Sequence, residues 1–313
     1  MPFDLDDKLV IGITSRALFD LEDAHAVFEA DKLETYRKYQ RDHEDEPLLP
    51  GIGLPLVRAL LRINDKADTQ LVEVVLVSRN DADSGLRILN SIESLGLDIT
   101  RCIFTGGQSA SPYARALDCD LFLSHEIGDV SLALQSGIAA ASVFAAPPAT
   151  DDDADEVRLA FDGDAVLFGP ASQRVYDQGD LDEFQRHEKE RGDVPLEPGP
   201  FKGFVAAIQT IQRRFREIGQ PSPIRTALVT ARNAPAHKRV IKTLREWDMN
   251  LDEAYFLGGI EKKRLLEVFR PHIFFDDQKS HLEPAKDVAP AALVPMPEDQ
   301  PAADGGPVVE GSQ

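Results

Sequence analysis

The sequence predicts an α/β protein built on a parallel sheet, and it predicts that sheet twice over. Three observations carry this. Short apolar runs alternate with segments whose apolar residues recur at helical spacing. That alternation restarts near the middle of the 313 residues. Five segments of the first half then recur in the second, in the same order and at nearly constant offset.

The repeat reads as follows. YRKYQRDHEDEPLLPG at 36–51 resembles DEFQRHEKERGDVPLEPG at 182–199, and ALF at 17–19 matches VLF at 166–168, an offset of 149. VVLVSRN at 74–80 resembles ALVTARN at 227–233. FTGG at 104–107 matches FLGG at 256–259, and CDLFLSHE at 119–126 lies at the same offset, 152, from PHIFFDDQ at 271–278. Ordered matches at one spacing indicate a duplication. The expected organisation is a first half over 8–146, an acidic linker over 147–156, a second half over 157–297 and a disordered tail over 298–313.

Strands of the first half are expected at 9–13, 72–77, 101–105, 120–123 and 138–144. Those of the second half are VRLAF (157–161), IRTALVT (224–230), AYFLG (254–258), HIFF (272–275) and AALVPM (291–296). Between them, PAHKRVIKTLREWD (235–248) and EKKRLLEVFR (261–270) carry apolar residues at i, i+3, i+4, with Asn233 and Pro235 suited to open the first helix. Such alternation gives a parallel sheet covered on both faces, with ligands bound beyond the carboxyl ends of its strands.

Composition narrows the function. Lys and Arg total 34 against 54 Asp and Glu, a net charge of −20 with a pI near 4.7. Such a surface repels polynucleotides and anionic membranes, although a small phosphate ester can bind where a metal and local cations reverse the field. Two cysteines, Cys102 and Cys119, make no disulfide framework and suit a reducing compartment. No basic, then apolar, leader opens the chain, and the most apolar run, 137–149, is too short to span a bilayer. A cytoplasmic location is expected.

The polar residues at the strand ends of the second half form a chemical set. Asp162-Gly163-Asp164 follow the first run, Thr230 the second, Gly258, Gly259 and Lys262 the third, and Asp276-Asp277 the fourth. Asp162 and Asp276 suit a hard cation such as Mg²⁺. Asp162 can also attack phosphorus to form an acyl phosphate, and Asp164 can protonate the leaving alkoxide and then activate water. Thr230 and Lys262 can hold phosphoryl oxygens, with Lys263 an adjacent alternative.

FDGDAVLF, LVTAR, GGIEK and IFFDDQ resemble the four motifs of the haloacid-dehalogenase-like phosphatases. The wider set, including TSRALFDLED, HEDEPLLPG, LDITRCIFTGGQS, PLEPGPF and HIFFDDQKSH, resembles the cytosolic 5′-nucleotidase type I family over residues 9–297. The resemblance implies a Rossmannoid fold and Mg²⁺-dependent hydrolysis of nucleoside 5′-monophosphates such as AMP. Asp162 would be the nucleophile, Asp164 the acid/base, and Thr230 and Lys262 the phosphate ligands. The metal would lie among Asp162, Asp164, Asp276 and Asp277. A small helical cap is implied at about 169–222. Rival readings are a phosphatase of another small ester and a nucleotide-binding protein without turnover.

The first half keeps the pattern without the chemistry. By the sequence offsets, Ile13 and Ser15 stand for Asp162 and Asp164, Ser78 for Thr230, Ala110 for Lys262, and Ser124-His125 for Asp276-Asp277. Metal and phosphoryl group use up the strand-end residues of the second half, so the nucleoside end of the substrate is expected to be held by the 169–222 cap, by the first half, or by both. The cap candidates are Phe184 or Phe201, with His187, Glu188 and Phe204 nearby, and core packing is their plainer reading. The first-half candidates are Arg16, Ser78, Arg79 and Asn80, for which helix capping and ion pairing is the plainer reading.

Overall fold

The structure, a computed structural model, describes residues 4–145, 156–170, 188 and 191–296. Most of the expected linker, the tail, Phe184 and His187 lie outside those residues.

The first half runs β1 (Leu9–Ile13), α1 (Ser15–Leu18), β2 (Phe19–Asp20), α2 (Glu22–Asp42), β3 (Leu49–Pro50), α3 (Leu54–Asp65), β4 (Val72–Ser78), α4 (Leu86–Ser94), β5 (Arg101–Phe104), α5 (Ser111–Ala116), β6 (Leu121–Ser124), α6 (Ile127–Gln135) and β7 (Ala139–Ala145). The second runs β8 (Val157–Phe161), α7 (Lys202–Glu217), β9 (Ile224–Thr230), α8 (His237–Glu246), β10 (Glu253–Phe256), α9 (Lys263–Phe269), β11 (Ile273–Asp276), α10 (Lys279–Ala285) and β12 (Ala291–Leu293).

Ten strands form one sheet in the order β10-β9-β8-β11-β12-β7-β6-β1-β4-β5. Read outward from the centre, each half has the same order: its fifth strand, fourth, first, second and third. Within each half of this sheet every pairing is parallel, and β2 and β3 pair antiparallel apart from it. The strands are mostly apolar because helices cover both faces, and charged residues such as Glu73, Arg101, Arg158 and Arg225 stand at or near strand starts. β1, β4 and β6 are buried at every position.

The halves meet through β12 and β7, and that pairing is antiparallel. One reversed pairing turns the second half end for end. The carboxyl ends of the first-half strands therefore lie on the opposite edge of the sheet from those of the second. Five strand spacings separate β8 from β1, about 24 Å laterally at ~4.8 Å each.

α7 packs on the sheet as a layer helix. Its Phe204, Val205, Ile208, Ile211 and Phe215 join the same core as Phe161 and Phe275. Part of the interval expected as a cap is thus ordinary sheet cover. Helix α8 begins two residues beyond Pro235, and the His237 amide donates to the Asn233 carbonyl at 3.1 Å.

Candidate active site

The carboxyl ends of β8, β9 and β11 converge on one buried cluster. Asp162 follows β8, and its amide donates to the Phe275 carbonyl at 2.8 Å, continuing the β8–β11 ladder one residue past the strand. Asp276 closes β11. Lys262 caps α9 and reaches back between them, donating from Nζ to Asp162 Oδ1 at 2.5 Å and to Asp276 Oδ2 at 2.7 Å. Lys263 instead pairs at the surface with Asp287. The structure thus separates the two adjacent lysines.

Thr230 ends β9, is buried, and accepts the Arg232 amide on its hydroxyl at 3.2 Å. Gly163 lets it approach: a Cβ there would come within 3.1 Å of Thr230 Oγ1. Gly258 and Gly259 turn the chain after β10 at positive φ, 56° and 91°, a conformation that side chains disfavour.

Burial and charge set the protonation of the cluster. Burial lifts Asp162 to about 6 even though Lys262 pulls it down. Asp277 is lifted further, to about 8, by burial and by the negative charges of Asp162 and Asp276. Burial also acts on Asp276, but Lys262 and His281 outweigh it and hold that carboxyl below its usual range. Burial alone would lower Lys262; Asp162 and Asp276 reverse the effect and raise it.

Asp162, Asp276 and Asp277 each offer an oxygen, and these atoms lie within 4.8 Å of one another. Asp277 Oδ1 is buried with no hydrogen-bond partner among the described residues. Three buried carboxylates beside one ammonium, with an orphaned oxygen among them, fit a hard divalent cation. His281 Nδ1 lies 3.1 Å from Asp276 Oδ1 and orients that carboxylate from behind.

The Asp164 carboxylate lies outside this group. Arg232 takes it in a bidentate pair, at 2.7 Å from Nε and 2.6 Å from Nη2. Arg232 also donates to Glu188 at 2.6 Å, and Glu188 accepts from Arg239 at 2.8 Å. All four side chains are buried. Arg232 stands in the LVTAR motif, and sequence reasoning missed the role of its side chain. A clue lay in the pattern: an arginine two residues past a buried strand needs a carboxylate partner.

Other expected binding residues lie elsewhere. Phe201 is fully buried, its ring 4.7 Å from Phe275 and 6.2 Å from Phe161, so it supports the sheet beneath the site and reads no base. Phe204 belongs to the same aromatic cluster. Glu188 is committed to its two arginines. Arg16, Ser78, Arg79 and Asn80 stand at the ends of β1 and β4, on the opposite sheet edge from Asp162. They cannot meet a substrate bound there. The reversed β7–β12 pairing is the physical reason.

The strand ladders also refine the correspondence between halves. The Thr14 amide donates to the Leu123 carbonyl at 2.9 Å just as Asp162 does to Phe275. Thr14, not Ile13, therefore occupies the position of Asp162, and Arg16 that of Asp164. The sequence offset misses this because the second half has one extra residue in the turn, where Ala165 takes a positive φ of 61°.

Comparison with known proteins shows the family. A 5′-nucleotidase family model matches residues 1–301. Human cytosolic 5′-nucleotidase 1B is 37% identical over 289 residues, which cover 90% of this chain and 47% of that protein. The chain thus spans about half the length of the curated relative it matches. With a family match across nearly its whole length and strand-end carboxylates gathered around Lys262, this chain belongs to the 5′-nucleotidase family.

Proposed function

We propose that the chain is a Mg²⁺-dependent 5′-nucleotidase that hydrolyses nucleoside 5′-monophosphates such as AMP through a phosphoaspartate on Asp162. The observation that carries this reading is the buried Asp162–Lys262–Asp276–Asp277 cluster at the strand ends. The 5′-nucleotidase family match supports the substrate class. The relative's name supports action in the cytosol, and no described helix is long and apolar enough to cross a membrane.

In the first step an Asp162 oxygen attacks phosphorus and the bond to the 5′-oxygen breaks. Asp164 gives that oxygen its proton, and the nucleoside leaves as a neutral alcohol. In the second step Asp164 takes a proton from water, whose oxygen attacks the phosphoaspartate. Phosphate departs and the Asp162 carboxylate is restored. Lys262 neutralises the phosphoryl oxygens, and Thr230 donates to one of them. Asp162, Asp276 and Asp277 would hold Mg²⁺, which supplies positive charge beside the phosphoryl group. Arg232 engages both oxygens of the Asp164 carboxylate, so to serve as the acid Asp164 enters the first step protonated and freed from one of those bonds. The nucleoside end falls to the 169–222 segment, because the first-half candidates are on the far edge and Phe201 is in the core.

The test is phosphate release from a panel of nucleoside and sugar monophosphates, with Mg²⁺ and with chelator. The reading expects Mg²⁺-dependent release from nucleoside 5′-monophosphates. Release in chelator, or a clear preference for sugar phosphates, would overturn it.

A further inference from the structure

The first half has its own cavity at the place where the second half has its catalytic cluster. It measures about 730 Å³ and opens at the carboxyl ends of β1, β4, β5 and β6 beneath α2. That volume suits a small organic ligand. Its chemistry differs systematically from that of the catalytic site. Thr14 replaces Asp162, Ser78 replaces Thr230, Ser124 replaces Asp276 and Ala110 replaces Lys262. The Ser124 match is close: its Oγ accepts the Glu126 amide at 3.0 Å, as Asp276 accepts that of Gln278 at 2.8 Å. The carboxylates of Asp162 and Asp276 are replaced by hydroxyls, that of Asp277 by the His125 imidazole and the ammonium by a methyl group, so a divalent cation lacks its carboxylates and a phosphoryl group its lysine.

The cations that remain around the cavity are already matched. Arg16 pairs with Glu126 at 2.9 Å and Glu22 at 3.1 Å, Arg79 with Asp129 at 2.7 Å, and Arg37 with Asp81 at 2.6 Å. The floor is a neutral hydrogen-bonding chain. Ser15 and Ser78 hydroxyls meet at 2.8 Å, Ser78 donates to Asn80 Oδ1 at 2.8 Å, and Asn80 donates to the Tyr36 hydroxyl at 2.7 Å. Two polar atoms of lining residues remain unpartnered among the described residues: the hydroxyl of Thr14, which is only 7% exposed, and Nε of Arg16. Buried polar groups normally have partners, so these two point to a bound acceptor or donor. The wall is aromatic. Phe28, 44% exposed, packs edge-on against Tyr36 at 5.8 Å and presents its ring to the cavity.

We infer that the first-half cavity is a binding site for an uncharged nucleoside, its base on the Phe28–Tyr36 wall and its hydroxyls on the Thr14–Ser15–Asn80 floor. The balance of charge selects the neutral ligand over a phosphorylated one. The inference stands apart from the reaction at Asp162.

Calorimetric titration of the full chain in chelator tests it, with adenosine, ribose, AMP and inorganic phosphate as probes. Adenosine should bind, and binding should survive Asp162→Asn. Phe28→Ala and the near-isosteric Thr14→Val should each weaken it about tenfold, while kcat/KM for AMP in Mg²⁺ stays within about twofold of the parent. Thermal melts identify any variant that fails to fold, and the exposed Phe28 keeps the test intact if Thr14→Val does. Four results would overturn the site: no adenosine binding; binding abolished by Asp162→Asn; binding indifferent to both first-half changes; or AMP or phosphate binding more tightly than adenosine in a way that those changes weaken.

Discussion

The two halves of this sheet share strand order, connection pattern and even the hydrogen bonds at their strand ends, yet differ completely in what those ends carry. In the second half, four buried charges crowd together at the ends of β8 and β11 and the start of α9. In the first, the matching positions hold the hydroxyls of Thr14 and Ser124, the His125 imidazole and an alanine, and the arginines nearby are tied to acids, Arg16 to partly exposed Glu22 and Glu126 and Arg79 to buried Asp129. A shared scaffold therefore fixes where a site can be without fixing what it does. The charged half carries strain that the neutral half lacks. Asp162 and Asp277 are both held well above the ordinary carboxyl value of 3.8.

The comparison breaks most visibly at the nucleophile. Asp162→Asn should lower kcat by about 10⁴-fold or more in a phosphate-release assay, as losing a covalent nucleophile does elsewhere. Fold and melting behaviour should persist, because the change is nearly isosteric. Retention of a tenth of the parent rate would place the chemistry on another residue.

Next in size is the Arg232 clamp. Arg232→Ala leaves Asp164 and Glu188 buried without their shared partner and should cost about 3–5 kcal/mol of stability. A strand-end ion pair of the first half should be milder. Arg16, at the position of Asp164, pairs with partly exposed Glu22 and Glu126, so Arg16→Ala should cost less than about 1 kcal/mol. Urea unfolding of both variants measures the difference, and equal losses would deny the contrast between the halves.

Metal binding should sharpen the contrast with pH. In the metal-free fold Asp162 and Asp277 titrate near 6 and 8, against 3.8 ordinarily. Between pH 4 and those values the folded chain holds protons that the unfolded chain has released, so stability from these groups declines as pH rises through that window. A cation that binds the ionised carboxylates removes this cost. The gain in melting temperature on adding Mg²⁺ should therefore be larger at pH 8.5 than at pH 5.5. A gain independent of pH would separate the metal from these carboxyls.

The smallest effect belongs to a neighbour. Lys262→Met should remove most activity, whereas Lys263→Met, which breaks only the surface pair with Asp287, should leave kcat/KM within about twofold. Steady-state kinetics on AMP distinguish the two. Loss of activity in the Lys263 variant alone would reverse the assignment.

Much of this was legible in the sequence, and the limits have physical reasons. Strands such as VRLAF and LFLS were legible because a strand buried on both faces must be mostly apolar, with any polar residue near its ends. The carboxylates were legible because polar residues ending such runs fall on one edge. The orientation of the halves was not, since it depends on the single β7–β12 pairing, and an apolar run reads alike in either direction. Thr14 was missed by one position because the extra residue near Ala165 lies in a turn with no sequence marker. Phe201 misled because an aromatic residue before a helix fits a stacking wall as well as a core, and only its contacts with Phe161 and Phe275 decide.

The central claim is that phosphoryl chemistry resides on Asp162 in one half and nowhere in the other. A crystal structure of the full chain grown with Mg²⁺ and beryllofluoride, a mimic of the phosphoryl group on a carboxylate, tests it directly. The account predicts beryllofluoride on an Asp162 oxygen, within reach of Lys262 and Thr230, with Mg²⁺ held by Asp162, Asp276 and Asp277. Beryllofluoride on another side chain, or seated at Thr14 in the first half, would contradict it.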